Sequence, residues 1–250
     1  LKPLLGRPPL SPLLPLSSPP LAGNGGAMAS RPGGAALDAA LVLLLTAPFY
    51  ACALYTDWYI DELFAIVRNA DVRADAPLWH LLVHDFWGQE LWPQGSAWTH
   101  KSFRPLVTLS FRWQLMLQGD GGMRPGPLRA ASCAVHSLNS LLVRQLLCSM
   151  GLGRPGALLG AALFALHPAH VENLPYLVGR ADSMATFFLV SGVLLWRGAR
   201  RAGRWARVAR GVACALCAPL AGLCKETGFM LPAVLAWEGA ALGGRAAPCA

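Results

Sequence analysis

The stretch Leu37-Asp-Ala-Ala-Leu41-Val-Leu-Leu-Leu45-Thr-Ala-Pro-Phe-Tyr50-Ala-Cys-Ala-Leu-Tyr55 carries one charged side chain, Asp38, close to its start. Wound as a helix rising about 1.5 Å per residue, it nearly crosses a hydrocarbon layer of about 30 Å. A cleavable signal peptide is the rival reading. Tyr55-Thr-Asp-Trp-Tyr59, directly after it, has no small-residue cleavage site, which favours a retained anchor. The rest of the chain agrees: 54% of its 250 residues are apolar and 14% are charged, with a mean hydropathy of +0.42. A soluble domain carries about a quarter charged residues, so a soluble fold is excluded.

The apolar residues lie in blocks. Beyond the first span, further spans are expected at Leu128–Met150, Ala157–Leu166, Met184–Trp196, Val208–Leu223 and Phe229–Leu242. Between Thr56 and Pro127 runs a mixed segment with Trp58, Trp79, Trp87, Trp92, Trp98 and Trp113. It is too polar to span and too aromatic for a linker, so it is expected to fold as a long loop lying on the membrane. The predicted fold is all-α: a polytopic helical membrane protein with one multi-span domain over residues 37–250. Residues 1–36 are expected to be disordered or non-native, because residues 1–27 are a Leu/Pro/Ser/Gly stretch without periodicity and Met28 reads as a start. The apolar, Gly-rich C-terminus suggests a fragment.

Seven cysteines form an odd set, mostly inside apolar segments, and imply no disulfide framework. Cys214-Ala-Leu-Cys217 has redox or zinc spacing but no second pair, and reads as packing. The net charge of +8 comes from arginines beside apolar segments, which fits membrane orientation better than nucleic acid. Arg197, Arg200, Arg201, Arg204, Arg207 and Arg210 fall in one acid-free segment, residues 197–210, which the positive-inside rule places in the cytosol. Counting spans back puts Arg154 and Arg31 on the same side and the 56–127 loop on the other. Every polar cluster that is not simply basic then lands on that opposite face. Ionisable groups at membrane depth are costly and usually line a site.

Those clusters supply the candidate site residues. Asp61 and Glu62, set among aromatics in Trp58-Tyr-Ile-Asp-Glu-Leu-Phe64, form a partly desolvated acidic pair. One member can serve as a general base, or both can dress a helix start. His167, His170 and Glu172 have an HxxHxE spacing that suits a divalent cation, a phosphate or plain polar packing. Pro168 opposes a regular helix there, so no metal ligand is assigned. Arg104, Arg180 and Lys225, with Asp182 and Glu226 beside them, suit an anionic lipid headgroup better than simple snorkelling does.

The motifs Asp61-Glu62-Leu-Phe-Ala-Ile-Val-Arg-Asn69-Ala-Asp71-Val, Asp85-Phe-Trp-Gly88, His100-Lys-Ser-Phe-Arg104-Pro-Leu, His167-Pro-Ala-His170-Val-Glu172, Val178-Gly-Arg180-Ala-Asp182 and Lys225-Glu226-Thr-Gly228 occur in this order. Together they resemble the transmembrane and tetratricopeptide-repeat-containing O-mannosyltransferases over about residues 37–242. The resemblance implies a GT-C glycosyltransferase of the endoplasmic reticulum membrane with a luminal active site. It would move mannose from dolichyl-phosphate-mannose, with inversion, to Ser or Thr of luminal or secretory protein acceptors, with no certain cofactor. It assigns catalysis to Asp61 and Glu62, where the family often has two aspartates. It assigns lipid-phosphate or substrate binding to Arg104, His167, His170, Glu172, Arg180, Asp182, Lys225 and Glu226. The family's helical repeats are not found and would lie downstream. The alternatives are another lipid-phosphate-sugar transferase of the same fold, or a non-catalytic transporter or structural subunit, although no inverted repeat is visible.

Overall fold

The computed structural model describes residues 32–95, 99–119 and 122–243; the expectations for residues 1–31 and for Trp98 lie outside them. The described chain is helical, with one isolated bridge between His84 and Glu90. Seven long helices make the frame: α1 (Pro32–Leu54), α2 (Pro105–Gln118), α3 (Pro125–Ser149), α4 (Arg154–Leu166), α5 (Arg180–Arg200), α6 (Arg204–Cys224) and α7 (Leu231–Gly243). Proline occupies the first turn of α2, α3 and α4, where its missing N–H has no intrahelical partner to lose. Three segments are long and apolar enough to cross a membrane: Ala36–Leu54, Leu177–Arg200 and Arg204–Cys224. The protein is therefore a membrane protein.

Some expected boundaries shift. The span expected at Met184–Trp196 belongs to a helix that starts at Arg180, and the last begins at Leu231, after a 3-10 turn over Glu226–Met230. The basic segment 197–210 is mostly not loop: its arginines cap the end of α5 and the start of α6, and the turn between them is residues 201–203. Helix α3 is long but does not qualify as a span on apolarity, since it buries Arg129, His136 and Asn139 against its neighbours. The 56–127 segment contains α2 and several single turns. Its residues Ile66, Val72, Phe86, Val107 and Phe111 share one buried core with Leu128 of α3 and Leu177, Ala181 and Ala185 around α5.

Helices α5 and α6 pair along their length, α3 packs against α1, α4 and α5, and α1 lies outside α3 and α4. The two ends of the bundle differ chemically. At one end, Asp38 of α1 is buried against Arg144 of α3 and Arg154 of α4, and Arg197 of α5 reaches Glu238 of α7 and the carbonyl of Ser149. The other end holds the acidic pair and its surroundings.

At the mixed end the chain turns from α6 into the Glu226–Met230 turn with no room to spare. A Cβ added to Gly228 would sit 2.1 Å from the carbonyl carbon of Ala221 and 2.3 Å from its oxygen. Backbone cannot swing aside as a side-chain tip can. Gly228→Ala is therefore expected to cost about 1–3 kcal/mol, read as a lower midpoint of heat inactivation in detergent than the parent chain.

Candidate active site

Beyond α1 the chain makes one helical turn, Ile60–Glu62, that continues into a π turn, Leu63–Val67. Neighbouring positions on this turn point in different directions, so the acidic pair splits. Glu62 is fully buried. One of its oxygens accepts the Leu177 N–H at 2.6 Å, and the other accepts the Tyr59 N–H at 3.1 Å and the Arg129 guanidinium at 2.9 Å. Burial raises its proton affinity, and the two N–H groups and Arg129 oppose the rise. Arg129 reaches from α3 and also donates to the carbonyls of Thr56, Asp57 and Pro175. Glu62 and Arg129 thus tie three separated strips of chain together.

Asp61 faces solvent. Its Oδ2 accepts the phenol O–H of Tyr176, and the Tyr176 hydroxyl is held well above its ordinary pKa by burial first and by this bond second. The Arg104 charge is near enough to oppose that rise. The Arg104 guanidinium stacks on the Phe86 ring, 5.3 Å from its centroid, and pairs with Glu226 at 3.7 Å. Next in sequence to Glu226, Lys225 donates to Asp182 at 2.5 Å. Three pairs, Asp61 with Tyr176, Arg104 with Glu226 and Lys225 with Asp182, thus form a row at one end of the bundle, the last two joined by the adjacency of Lys225 and Glu226.

A cavity of about 380 Å³ opens at Asp182 and Lys225, within the range of small-ligand sites. Its walls include His136 and Asn139 of α3, His170 and Glu172 of the turn after α4, Asp182 of α5, and Lys225. Asn139 donates to the Ser183 carbonyl at 2.8 Å, while its own Oδ1 is buried without a partner, which leaves an acceptor on the cavity wall.

The remaining expected site residues are placed otherwise. Arg180 is 2% exposed. It is bound by Ser132, Ser110, Gln114 and the Leu128 carbonyl and lies 4.2 Å from the centroid of the Phe111 ring. It does not line the cavity. His167 caps its own turn, its Nδ1 accepting the Ala169 N–H, and His170 Nδ1 lies 3.0 Å from the Phe164 carbonyl. His167, His170 and Glu172 do not form a three-donor metal cluster among the described residues. Arg129, Tyr176 and Asn139 escaped the sequence reading. Arg129 and Asn139 carried a signal, being polar residues inside an expected span; Tyr176 carried none.

The family model for dolichyl-phosphate-mannose-protein mannosyltransferase matches residues 110–238, about half of the chain, from α2 to α7. The chain belongs to the dolichyl-phosphate-mannose-protein mannosyltransferase family. That family has a GT-C membrane fold, as the sequence resemblance implied. Among individual relatives of the mannosyltransferases, protein O-mannosyl-transferase Tmtc1 of Drosophila melanogaster is 36% identical over 178 residues, covering 71% of this chain and 20% of that protein. TMTC4 of Homo sapiens is 38% identical over 149 residues, 54% of this chain and 19% of that protein. TMTC3 of Mus musculus is 28% identical over 194 residues, 76% of this chain and 20% of that protein. The chain spans about a fifth of the length of these mannosyltransferases. No solved structure matches it.

Proposed function

We propose that this chain carries the catalytic end of a mannosyltransferase that takes mannose from dolichyl-phosphate-mannose and places it on Ser or Thr of a protein, with inversion. The observation that carries this reading is the exposed Asp61 carboxylate held by Tyr176, together with the Arg104–Glu226 and Lys225–Asp182 pairs at the same end and a polar cavity lined by Asp182 and Lys225. The basic helix ends, Arg197 to Arg210, would face the cytosol and the row the lumen of the endoplasmic reticulum.

In this mechanism Asp61 accepts the proton of the acceptor hydroxyl, while Tyr176 holds the carboxylate's second oxygen and fixes its direction. The hydroxyl oxygen bonds to the anomeric carbon as the bond from that carbon to the phosphate oxygen breaks on the opposite face. Dolichyl phosphate leaves with the electron pair, and Arg104 and Lys225 are the cations placed to offset its charge. Arg180, sealed in the bundle, braces α5 against α2 and α3. Glu62 holds the turn that presents Asp61.

A fixed cation that meets a phosphate through a charge-assisted hydrogen bond contributes about 1.5–3 kcal/mol. Lys225→Met is therefore expected to lower kcat/KM for the lipid donor by about tenfold to a hundredfold. The assay is transfer of labelled mannose from dolichyl-phosphate-mannose to protein acceptors in microsomes bearing the chain. Undiminished transfer by Lys225→Met would remove Lys225 from the donor site. No transfer by the folded parent across varied acceptors would favour a transporter or structural subunit.

A further inference from the structure

Away from the row just described, the segment between Asn69 and Leu91 folds back on itself around a buried carboxylate. We propose that Asp71, His80 and His84 form a binding site for a divalent transition-metal ion, with zinc the cation their chemistry fits best. His80 and His84 stand four residues apart at the two ends of one helical turn, His80–Val83, closed by the His84 N–H to His80 carbonyl bond of 2.8 Å. That spacing puts both rings on one side. Their Nδ1 atoms both point at Asp71: His80 Nδ1 lies 3.3 Å from Oδ1, and His84 Nδ1 lies 3.1 Å from Oδ1 and 2.8 Å from Oδ2. One donor atom from each residue falls within 4.8 Å of the other two.

The spacing is near that of a coordination shell, the two His84 contacts being a few tenths of an ångström shorter and at hydrogen-bond distance. Zinc bonds of about 2.0–2.1 Å at tetrahedral angles set neighbouring donors about 3.3–3.4 Å apart. Two imidazoles and one carboxylate make a three-ligand set that leaves a fourth position for water. The imidazoles are part-exposed, 26% and 16%, while Asp71 is 1% exposed, so an ion has a way in and an anchor at the bottom. The electrostatics ask for a cation too. No arginine or lysine pairs with Asp71 among the described residues; its ion-pair partners are the two histidines. A buried carboxylate is costly unless paired, and a dication bound between it and the two imidazoles pairs with it.

The anchor is itself held in place. Asn69 Oδ1 accepts the Asp71 N–H at 2.9 Å, and the Asn69 amide donates to the carbonyls of Ala65 and Phe86. Outer contacts of this kind orient metal ligands. Two residues past His84 stands Phe86, the ring on which Arg104 stacks. Bound metal would pin the fold-back that carries that ring. The site stands on its own residues and does not depend on the mannosyltransferase reading.

The test is to titrate cobalt(II), a spectroscopic stand-in for zinc, into the detergent-purified 250-residue chain after stripping metals, and to measure zinc retained after dialysis. One equivalent of zinc per chain and the visible absorption of four-coordinate cobalt, without intense sulfur-to-metal charge transfer, are expected. His84→Asn and His80→Asn should each weaken zinc binding by more than the tenfold to hundredfold that loss of an outer partner costs. The proposal is overturned by a folded parent that retains no zinc, by variants that retain as much as the parent, or by a cobalt spectrum dominated by thiolate charge transfer, which would place the ion on the cysteines. The parent's spectrum decides the matter even where a variant does not fold.

Discussion

Asp61→Asn is expected to lower mannosyl transfer by about a hundredfold to ten-thousandfold, the span that a positioned general base contributes. It should do so while leaving the protein folded. The reason lies in how little else Asp61 does. Its carboxylate is exposed, and among the described residues its one side-chain hydrogen bond is from the Tyr176 phenol. An asparagine oxygen at the same place still accepts that bond, so the turn Ile60–Glu62 and its seat on the bundle keep their contacts. Only the capacity to take a proton is gone. The comparison needs two readings on one preparation: labelled mannose transferred from dolichyl-phosphate-mannose in microsomes, and the heat-inactivation midpoint in detergent. Lost transfer with an unchanged midpoint is the expected pair. Turnover near the parent's would remove Asp61 as the base, whatever happens to the midpoint.

Tyr176 sharpens this prediction. With its hydroxyl held protonated at ordinary pH, it acts as a donor that aims the carboxylate and not as a rival base. Tyr176→Phe is expected to lower transfer less than Asp61→Asn, because the base survives with its orientation loosened. The same assay checks the order of the two.

Helix existence was legible in the sequence because long apolar blocks have few other ways to be satisfied in a membrane. Leu37–Tyr55 and the stretches around Met184–Trp196 and Val208–Leu223 all lie in helices, displaced at their ends by a few residues. The polar residues inside those blocks were less legible, because their partners come from distant parts of the chain. Asp38 reads as an awkward acid in the first span until Arg144 and Arg154 are seen around it.

The candidate site shows the same division. Counting spans put the mixed polar clusters on one face; of the site residues expected there, His170, Glu172, Asp182 and Lys225 line one cavity, while Arg104, His167, Arg180 and Glu226 do not. The resemblance assigned catalysis to both Asp61 and Glu62, and nothing in the sequence marked one of these adjacent acids as buried. The fold separates them: one turn of helix exposes the first and buries the second. Arg180 sat in a motif beside Asp182, yet the first turn of α5 directs it inward to Ser132 and Gln114. His80 and His84 drew no notice because their third partner lies at Asp71, on the far side of a loop.

Removing Arg129 should have the largest effect on stability. Arg129→Met is expected to cost about 3–5 kcal/mol, the range for breaking a buried ion pair from one side. The loss goes beyond one contact. Glu62 would remain buried as an uncompensated carboxylate, and the carbonyls of Thr56, Asp57 and Pro175 would lose their donor. Replacing both partners tests this account directly. A Glu62→Leu, Arg129→Met chain strands no charge, so its destabilisation should be smaller than the sum of the two single changes. Reversible unfolding in mixed detergent micelles supplies the three free energies. Additive costs would mean that Glu62 and Arg129 act independently and that the pair is not what holds the strips together. The outcome also bears on catalysis, because Glu62 follows Asp61 in the same turn. Arg129→Met should lose transfer and stability together, whereas Asp61→Asn should lose transfer alone, and that contrast separates the residue that holds the turn from the residue that takes the proton.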